Sequence, residues 1–267
     1  MQAFDSLSRD IQQYIYDKGW PSLTHIQNAA IKQVANTDHN LILSAPTASG
    51  KTEAAFIPAL NSVEDWETGL KVLYISPLKA LINDQFHRIS ELSEYLDIPI
   101  TRWHGEVSQA QKKKVVNQPK GVLLITPESI EGMLVNRPGE AEHLFKGVEW
   151  IIIDELHSFL GTERGIHLQS LLQRISRFMQ APRFIAMSAT LNKKDFGYAK
   201  AFFGSPRHTD ILVDRVKNDL LITIDYTSGE SGPFVARESL EAIYQYSKTE
   251  TMLIFPNSRN RVEEITH

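Results

Sequence analysis

The chain contains no cysteine, which excludes a disulfide framework and any zinc site built on thiolates. A cysteine-free chain suits a reducing compartment, and a cytoplasmic location is the expectation. Long hydrophobic runs are missing too. No apolar run outlasts Trp150 to Ile153, far short of the ~20 residues that cross a bilayer. The opening MQAFDSLSRDIQQ lacks the apolar core of a signal peptide. An excess of positive charge is likewise lacking: 28 Lys and Arg stand against 32 Asp and Glu, a net charge of −4. Contact with a polyanion needs only a local groove, and basic surface could lie in other parts of the protein, so bulk charge decides little. No internal repeat or low-complexity tract stands out. What remains is ordinary for a globular protein, with 42% hydrophobic and 22% charged residues over 267 positions, enough for one to two domains.

The pattern that is present alternates helices and strands. Asp5 or Ser6 is placed to cap a helix with Leu7, Ile11, Tyr14 and Ile15 on its apolar face. A second helix is expected from near Ser22 to about Val34, a strand over 40–44 and a helix from Lys51 to about Val63. Further strands are expected at 71–76, 98–103, 121–126, 149–155 and 183–188, with helices between them. The helix after 98–103 opens on SQAQ (108–111), a capping-box pattern, and the one after 149–155 is expected to run through Gln180. Strands apolar throughout and separated by helices imply a parallel sheet covered on both faces, with ligands beyond the carboxyl ends of its strands. Residues 1–207 read as one complete lobe. SPRHTD (205–210) reads as a linker, and 208–267 as the incomplete start of a second lobe, with strands at 220–226 and 251–255 around a loop at 228–233.

The sharpest motif is APTASGKT, Ala45 to Thr52, lying between a strand and a helix. That is the setting of a phosphate-binding loop, in which successive amides, here those of Ala48, Ser49 and Gly50, and a helix N-terminus face the phosphates. Lys51 would reach the β- and γ-phosphates, the Thr52 hydroxyl would coordinate Mg²⁺, and Glu53 follows in the first helical turn. Ala45 stands where the common pattern has glycine. About a hundred residues on, WIIIDELH (150–157) places Asp154 and Glu155 at the end of a buried strand. Asp154 is placed to hold Mg²⁺, and Glu155 to act as general base on the attacking water. The catalytic set is therefore Glu155, Asp154 and Lys51, and the ligands are ATP and Mg²⁺.

Several further segments narrow the choice. GWPSLTHIQ (19–27), YISPLKALINDQ (74–85), TPES (126–129), DELH (154–157), SAT (188–190) and LIFPNSR (253–259) stand in the order of helicase motifs. Together they resemble superfamily 2 DEAD/DEAH-like helicases, and within those the Lhr-type (large helicase-related) group; LHSFLGTERGIHLQSLLQRI (156–175) is similar to the same group. The resemblance implies a RecA-like fold with a second RecA-like lobe. It gives Gln27 to the adenine edge; Trp20 and Phe4 are candidate flanking rings, and Trp20 is equally a candidate packing residue at a helix junction. It gives Pro77, Lys79, Thr126, Pro127, Glu128 and Ser129 to a strand-binding groove, and Ser188 and Thr190 to coupling between nucleotide and groove. It favours DNA over RNA as the track and 3′ to 5′ as the direction. The sequence departs from the DEAD-box pattern in reading DELH and PLKAL, and no counterpart of motifs V and VI, where arginine fingers would lie, occurs before His267. An ATP-gated clamp without strand separation and an RNA-directed enzyme share the same motifs. The basic run Lys112–Lys114 reads as a solvated helix face, His104 as a core or loop residue, and none of the nine histidines as a metal ligand on spacing.

Overall fold

A computed structural model describes residues 2–189, 191–214, 237–248, 254–255 and 258–266. The chain divides into two compact units, residues 1–216 and 217–267. In the first unit, seven strands form one sheet in the order β3-β4-β2-β5-β6-β1-β7. They are β1 (Asn40–Ser44), β2 (Gly69–Ile75), β3 (Ile100–Trp103), β4 (Lys120–Ile125), β5 (Trp150–Ile153), β6 (Arg183–Ser188) and β7 (Thr209–Val213). Every pairing is parallel.

The sheet is a middle layer. Leu41, Leu43, Val72, Tyr74, Val122, Leu124, Ile152 and Ile185 point to one face. There they meet α1 (Arg9–Asp17), α2 (His25–Asn36), α3 (Lys51–Ser62) and α4 (Lys79–Tyr95). Ile42, Leu73, Ile75, Leu123, Ile125, Ile151, Ile153 and Ala186, the alternate residues of the same strands, point to the other. That face is covered by α6 (Pro127–Asn136), α7 (Pro138–Phe145), α8 (Glu163–Ile175) and α9 (Phe196–Ala201), with α5 (Gln109–Asn117) touching it through Val115 and Val116. Period-two alternation between two buried faces explains why the strands are apolar throughout. The expected α/β architecture, a parallel sheet with helices on both faces, is the one observed. Among the described residues no helix is long and apolar enough to cross a membrane.

Four boundaries differ from the sequence reading. The first helix is capped by Ser8, whose hydroxyl accepts the Ile11 amide; Asp5 and Ser6 lie in a 3₁₀ turn before it. The second starts at His25, not near Ser22, because Thr24 and Gln27 form a reciprocal capping box. After β5 the chain makes a 3₁₀ turn over Leu156–Ser158 before α8 begins at Glu163, where Thr162 caps it. Residues 209–213, expected within a linker and second-lobe segment, form strand β7 beside β1, so the compact unit runs past 207 to Val216. In the second unit the described residues form α10 (Arg237–Ser247) and α11 (Arg259–Thr266). The strand and loop expected at 220–226 and 228–233, and most of the strand at 251–255, lie outside the described residues.

Gly165 shows how tightly α8 is held. A Cβ there would lie 1.8 Å from the carbonyl oxygen of Phe159, whereas one at Gly132 in α6 would meet nothing within 4 Å. Gly165→Ala is expected to destabilise the fold by about 1–3 kcal/mol through overpacking. Gly132→Ala is expected to stabilise it by about 0.4–1 kcal/mol by restricting the unfolded chain. Urea titration of both variants against the parent checks the opposite signs.

Candidate nucleotide and nucleic-acid site

Because all strands run one way, their carboxyl ends share one rim, and sheet order arranges the motifs along it. Thr126 follows β4, Ser76 and Pro77 follow β2, Asp154 follows β5, Ser188 ends β6, and the 45–50 loop follows β1. The proposed groove residues thus occupy one half of the rim and the phosphate loop the other, with Asp154 between them.

The loop is shaped by two left-handed residues, Ala48 at φ 60° and Gly50 at φ 82°. Glycine is required at 50 on two grounds. A Cβ there would lie 2.5 Å from the Gln27 Nε2, and the conformation itself disfavours side chains. Lys51 opens α3, and its ammonium donates to the carbonyls of Ala45 and, at 3.1 Å, Pro46. Burial pushes its pKa down, while the carboxylates of Glu155 and Asp154 push it back up. The lysine and the two acids therefore act on one another electrostatically. Ser49 Oγ is buried without a hydrogen-bond partner among the described residues. Thr52 is buried, and its hydroxyl donates to Gln85 Oε1 at 3.1 Å.

Asp154 is 7% exposed. Its carboxylate accepts from the Tyr74 hydroxyl at 2.5 Å and from the Glu155 amide at 2.9 Å. Burial raises its pKa, Tyr74 lowers it, Glu155 raises it, and the Glu155 amide and Lys51 lower it. Tyr74 in turn is held well above its ordinary pKa by burial and by Asp154, so it remains a donor. Glu155 sits at φ 48°, a left-handed conformation costing a β-carbon residue about 1–2 kcal/mol. A His157 ring nitrogen lies 3.2 Å from the Glu155 carboxylate and 3.4 Å from Ser188 Oγ. This nitrogen links the acidic strand end to Ser188 of the SAT segment; Thr190 of that segment lies outside the described residues.

Gln27, assigned to adenine by resemblance, is 4% exposed. Its Oε1 accepts the Thr24 amide at 2.9 Å, and its Nε2 donates to the Gly50 carbonyl at 3.4 Å. The side chain thus ties the helix α2 cap to the phosphate loop. Glu53 points to a different partner, the Arg88 guanidinium of α4 at 2.9 Å. Trp20 packs edge-on to Tyr14, with Phe4 partly buried against the same core.

On the groove half, Thr126 caps α6, its Oγ1 accepting the Ser129 amide at 3.3 Å and lying 3.0 Å from the Ser129 hydroxyl. Pro127 follows as the first residue of α6 and is buried. Lys79 is paired with Glu106 at 2.6 Å. Arg164 of α8 donates to the Pro77 carbonyl at 2.5 Å and to Glu128 Oε1 at 2.6 Å. One guanidinium therefore joins the segments after β2 and β4 to the helix that follows Glu155. Sequence reasoning passed over Arg164, Tyr74, Gln85 and His157, although all four lie within or beside segments it had singled out.

An Mg²⁺-nucleotide fits this donor set. The desolvated Asp154 carboxylate and the Thr52 hydroxyl are hard oxygen ligands, and the unpartnered Ser49 hydroxyl and the loop's left-handed backbone form a cradle of donors.

Comparison with known proteins agrees with this geometry. Residues 24–196 match the DEAD/DEAH box helicase family. The chain is 29% identical over its whole length to Lhr-Core protein 2 of Thermococcus barophilus, of which it covers 34%. It is 31% identical over 85% of its length to the Lhr-Core helicase of Sulfolobus acidocaldarius, of which it covers 28%. The chain thus spans about a third of the length of these relatives. Among solved structures, Mycobacterium smegmatis helicase Lhr bound to ssDNA and AMP-PNP matches the whole chain with a TM-score of 0.84 at 24% identity, over 36% of that chain. The DUF1998 helicase MrfA matches 98% of this chain with a TM-score of 0.75 at 26% identity, over 40% of that chain. The architecture is that of a RecA-like helicase lobe, and by its matched segment and the order of its motifs the chain belongs to the DEAD/DEAH box helicase family, with Lhr-type helicases among its relatives.

Proposed function

We propose that this chain is the nucleotide-binding part of an ATP-dependent motor that moves along DNA. The observation that carries the reading is that the 45–50 loop with Lys51, after β1, and Asp154 and Glu155, after β5, lie on the same rim with only β6 between them. Lys51 is desolvated and its hydrogen-bond partners are neutral carbonyls. A triphosphate offers anionic oxygens instead, and charge-assisted hydrogen bonds are the stronger ones. Thr52 and Asp154 would hold Mg²⁺, which supplies charge neutralisation on the phosphates. Glu155 accepts the proton of the attacking water as its oxygen bonds to the γ-phosphorus and the bond to the β-phosphate oxygen breaks, giving ADP and phosphate. Tyr74 and the Glu155 amide keep the Asp154 carboxylate fixed.

Coupling runs through two connections. His157 joins Glu155 to Ser188, and Arg164 joins the helix after Glu155 to Pro77 and Glu128. A change at the γ-phosphate thereby reaches residues on both sides of Asp154. Contacts by Thr126, Ser129, Lys79 and the α6 amino terminus would be to phosphates, which carry no sequence code and suit a translocating enzyme. DNA is supported as the track by the ssDNA-bound Lhr and DNA-bound MrfA structures that this chain resembles. The cytoplasm is the proposed location.

In the full-length protein, Glu155→Gln is expected to retain nucleotide affinity within a few-fold and to lose about 10²–10⁴ in ATP turnover. Lys51→Ala is expected to weaken nucleotide binding itself by about 10–100-fold, matching a lost charge-assisted interaction. Equilibrium binding of a fluorescent ATP analogue, beside phosphate release, separates the two; normal turnover by Glu155→Gln would remove it as the base.

The track is tested by DNA- and RNA-stimulated ATPase together with strand displacement on tailed duplexes. The expected result is stimulation by DNA with displacement. Stimulation by RNA alone points to an RNA-directed enzyme, and ATPase without displacement to a gated clamp. The 267-residue chain by itself is expected to turn over slowly, since arginine fingers contribute about 10³–10⁵ in such enzymes.

A further inference from the structure

At the opposite rim of the sheet, where the strands begin, the geometry points to a transition-metal site formed by His39, His208 and Asp210. Parallel pairing brings these residues together. Asn40 aligns with Thr209, so the residues just before them, His39 and His208, stand side by side. Asp210 lies two positions beyond His208 and so projects to the same side of its strand. His39 Nδ1 lies 2.7 Å from Asp210 Oδ2, and His208 Nε2 lies 3.1 Å from Asp210 Oδ1. One ligand atom from each of the three residues falls within 4.8 Å of the others. The two imidazole rings meet edge-on with centroids 4.8 Å apart.

A tetrahedral zinc ion with bonds of about 2.0–2.1 Å sets neighbouring ligand atoms about 3.3–3.4 Å apart. To reach that value the His208–Asp210 spacing opens by about 0.2–0.3 Å and the His39–Asp210 spacing by about 0.6–0.7 Å. Two neutral imidazoles and a carboxylate, with water in a fourth position, suit Zn²⁺ and the neighbouring divalent metals rather than Mg²⁺. The carboxylate is already oriented, because Gln33 Nε2 of α2 donates to Asp210 Oδ2 at 2.6 Å. Partners of this outer kind fix ligand direction in known metal sites. The nearby cations are engaged elsewhere. Arg207 pairs with Asp38 at 2.5 Å, and Arg183 donates to the His39 carbonyl at 3.0 Å and lies over the Trp150 ring. The cluster remains accessible, with the His208 side chain 58% exposed. An ion there would clip edge strand β7 to β1 at the rim away from the phosphate loop, acting on stability and not on the chemistry of hydrolysis.

The test is isothermal titration of the purified chain with Zn²⁺ at neutral pH in excess Mg²⁺, repeated with Co²⁺ to read tetrahedral absorption. One saturable site is expected, with a thermal midpoint that rises with zinc concentration. Gln33→Ala should weaken affinity by about 10–100-fold, and His208→Ala and Asp210→Asn by more. His208 is exposed enough for its variant to fold normally, which circular dichroism checks. Absence of saturable binding, or equal binding by the parent and His208→Ala, overturns the assignment; the second result places the ion on other residues.

Discussion

Parallel pairing is the constraint on which the rest of the structure depends. Seven strands running the same way put every carboxyl end on one rim and every amino end on the other. The chain order of the motifs says nothing about their neighbours; sheet order does. Because β6 lies between β1 and β5, Ser188 ends up between the phosphate loop and Asp154. Because β2 lies beside β5, Pro77 ends up next to the acid on its other side. Strand β5, with Asp154 and Glu155 at its end, thus stands between the two sets of rim residues.

That arrangement carries energetic costs which the surrounding fold offsets. Glu155 and Ala48 hold left-handed backbone conformations without being glycine. Asp154 and Lys51 are charged groups withdrawn from water, and each is shifted toward neutrality mainly by burial. Tyr74, itself among the largest fully buried side chains, supplies the donor that makes the buried carboxylate tolerable. Strain and desolvation of this kind persist only where packing over-determines them. The two apolar faces of the sheet, each closed by its own set of helices, provide that packing.

The sequence was most readable where structure is local or periodic. Strands such as 40–44 and 183–188 appear as expected because apolar runs bounded by turns are local signals. The phosphate loop was legible because its chemistry fixes residue types at fixed spacing. Helix starts at Ser8 and Thr24 were misplaced because neighbouring Asp, Ser and Thr residues compete as caps, and only backbone geometry chooses among them. At Ser108 the cap is half of the expected box: its hydroxyl accepts the Gln111 amide, but Gln111 Oε1 turns to that hydroxyl and not to the backbone. Strand β7 was missed because TDILV becomes a strand by pairing with β1, some 170 residues away. Arg164, His157 and the His39–His208–Asp210 cluster were invisible for the same reason, since their partners are neighbours only after the sheet has formed.

The central claim is that Lys51 and Asp154 serve one magnesium-bound triphosphate. A crystal structure of the protein with Mg²⁺ and a non-hydrolysable ATP analogue tests it most directly. The account predicts that the Lys51 ammonium leaves the carbonyls of Ala45 and Pro46 for phosphate oxygens, with the metal between Thr52 and the Asp154 side. A nucleotide bound elsewhere, with Lys51 still on those carbonyls, would contradict it.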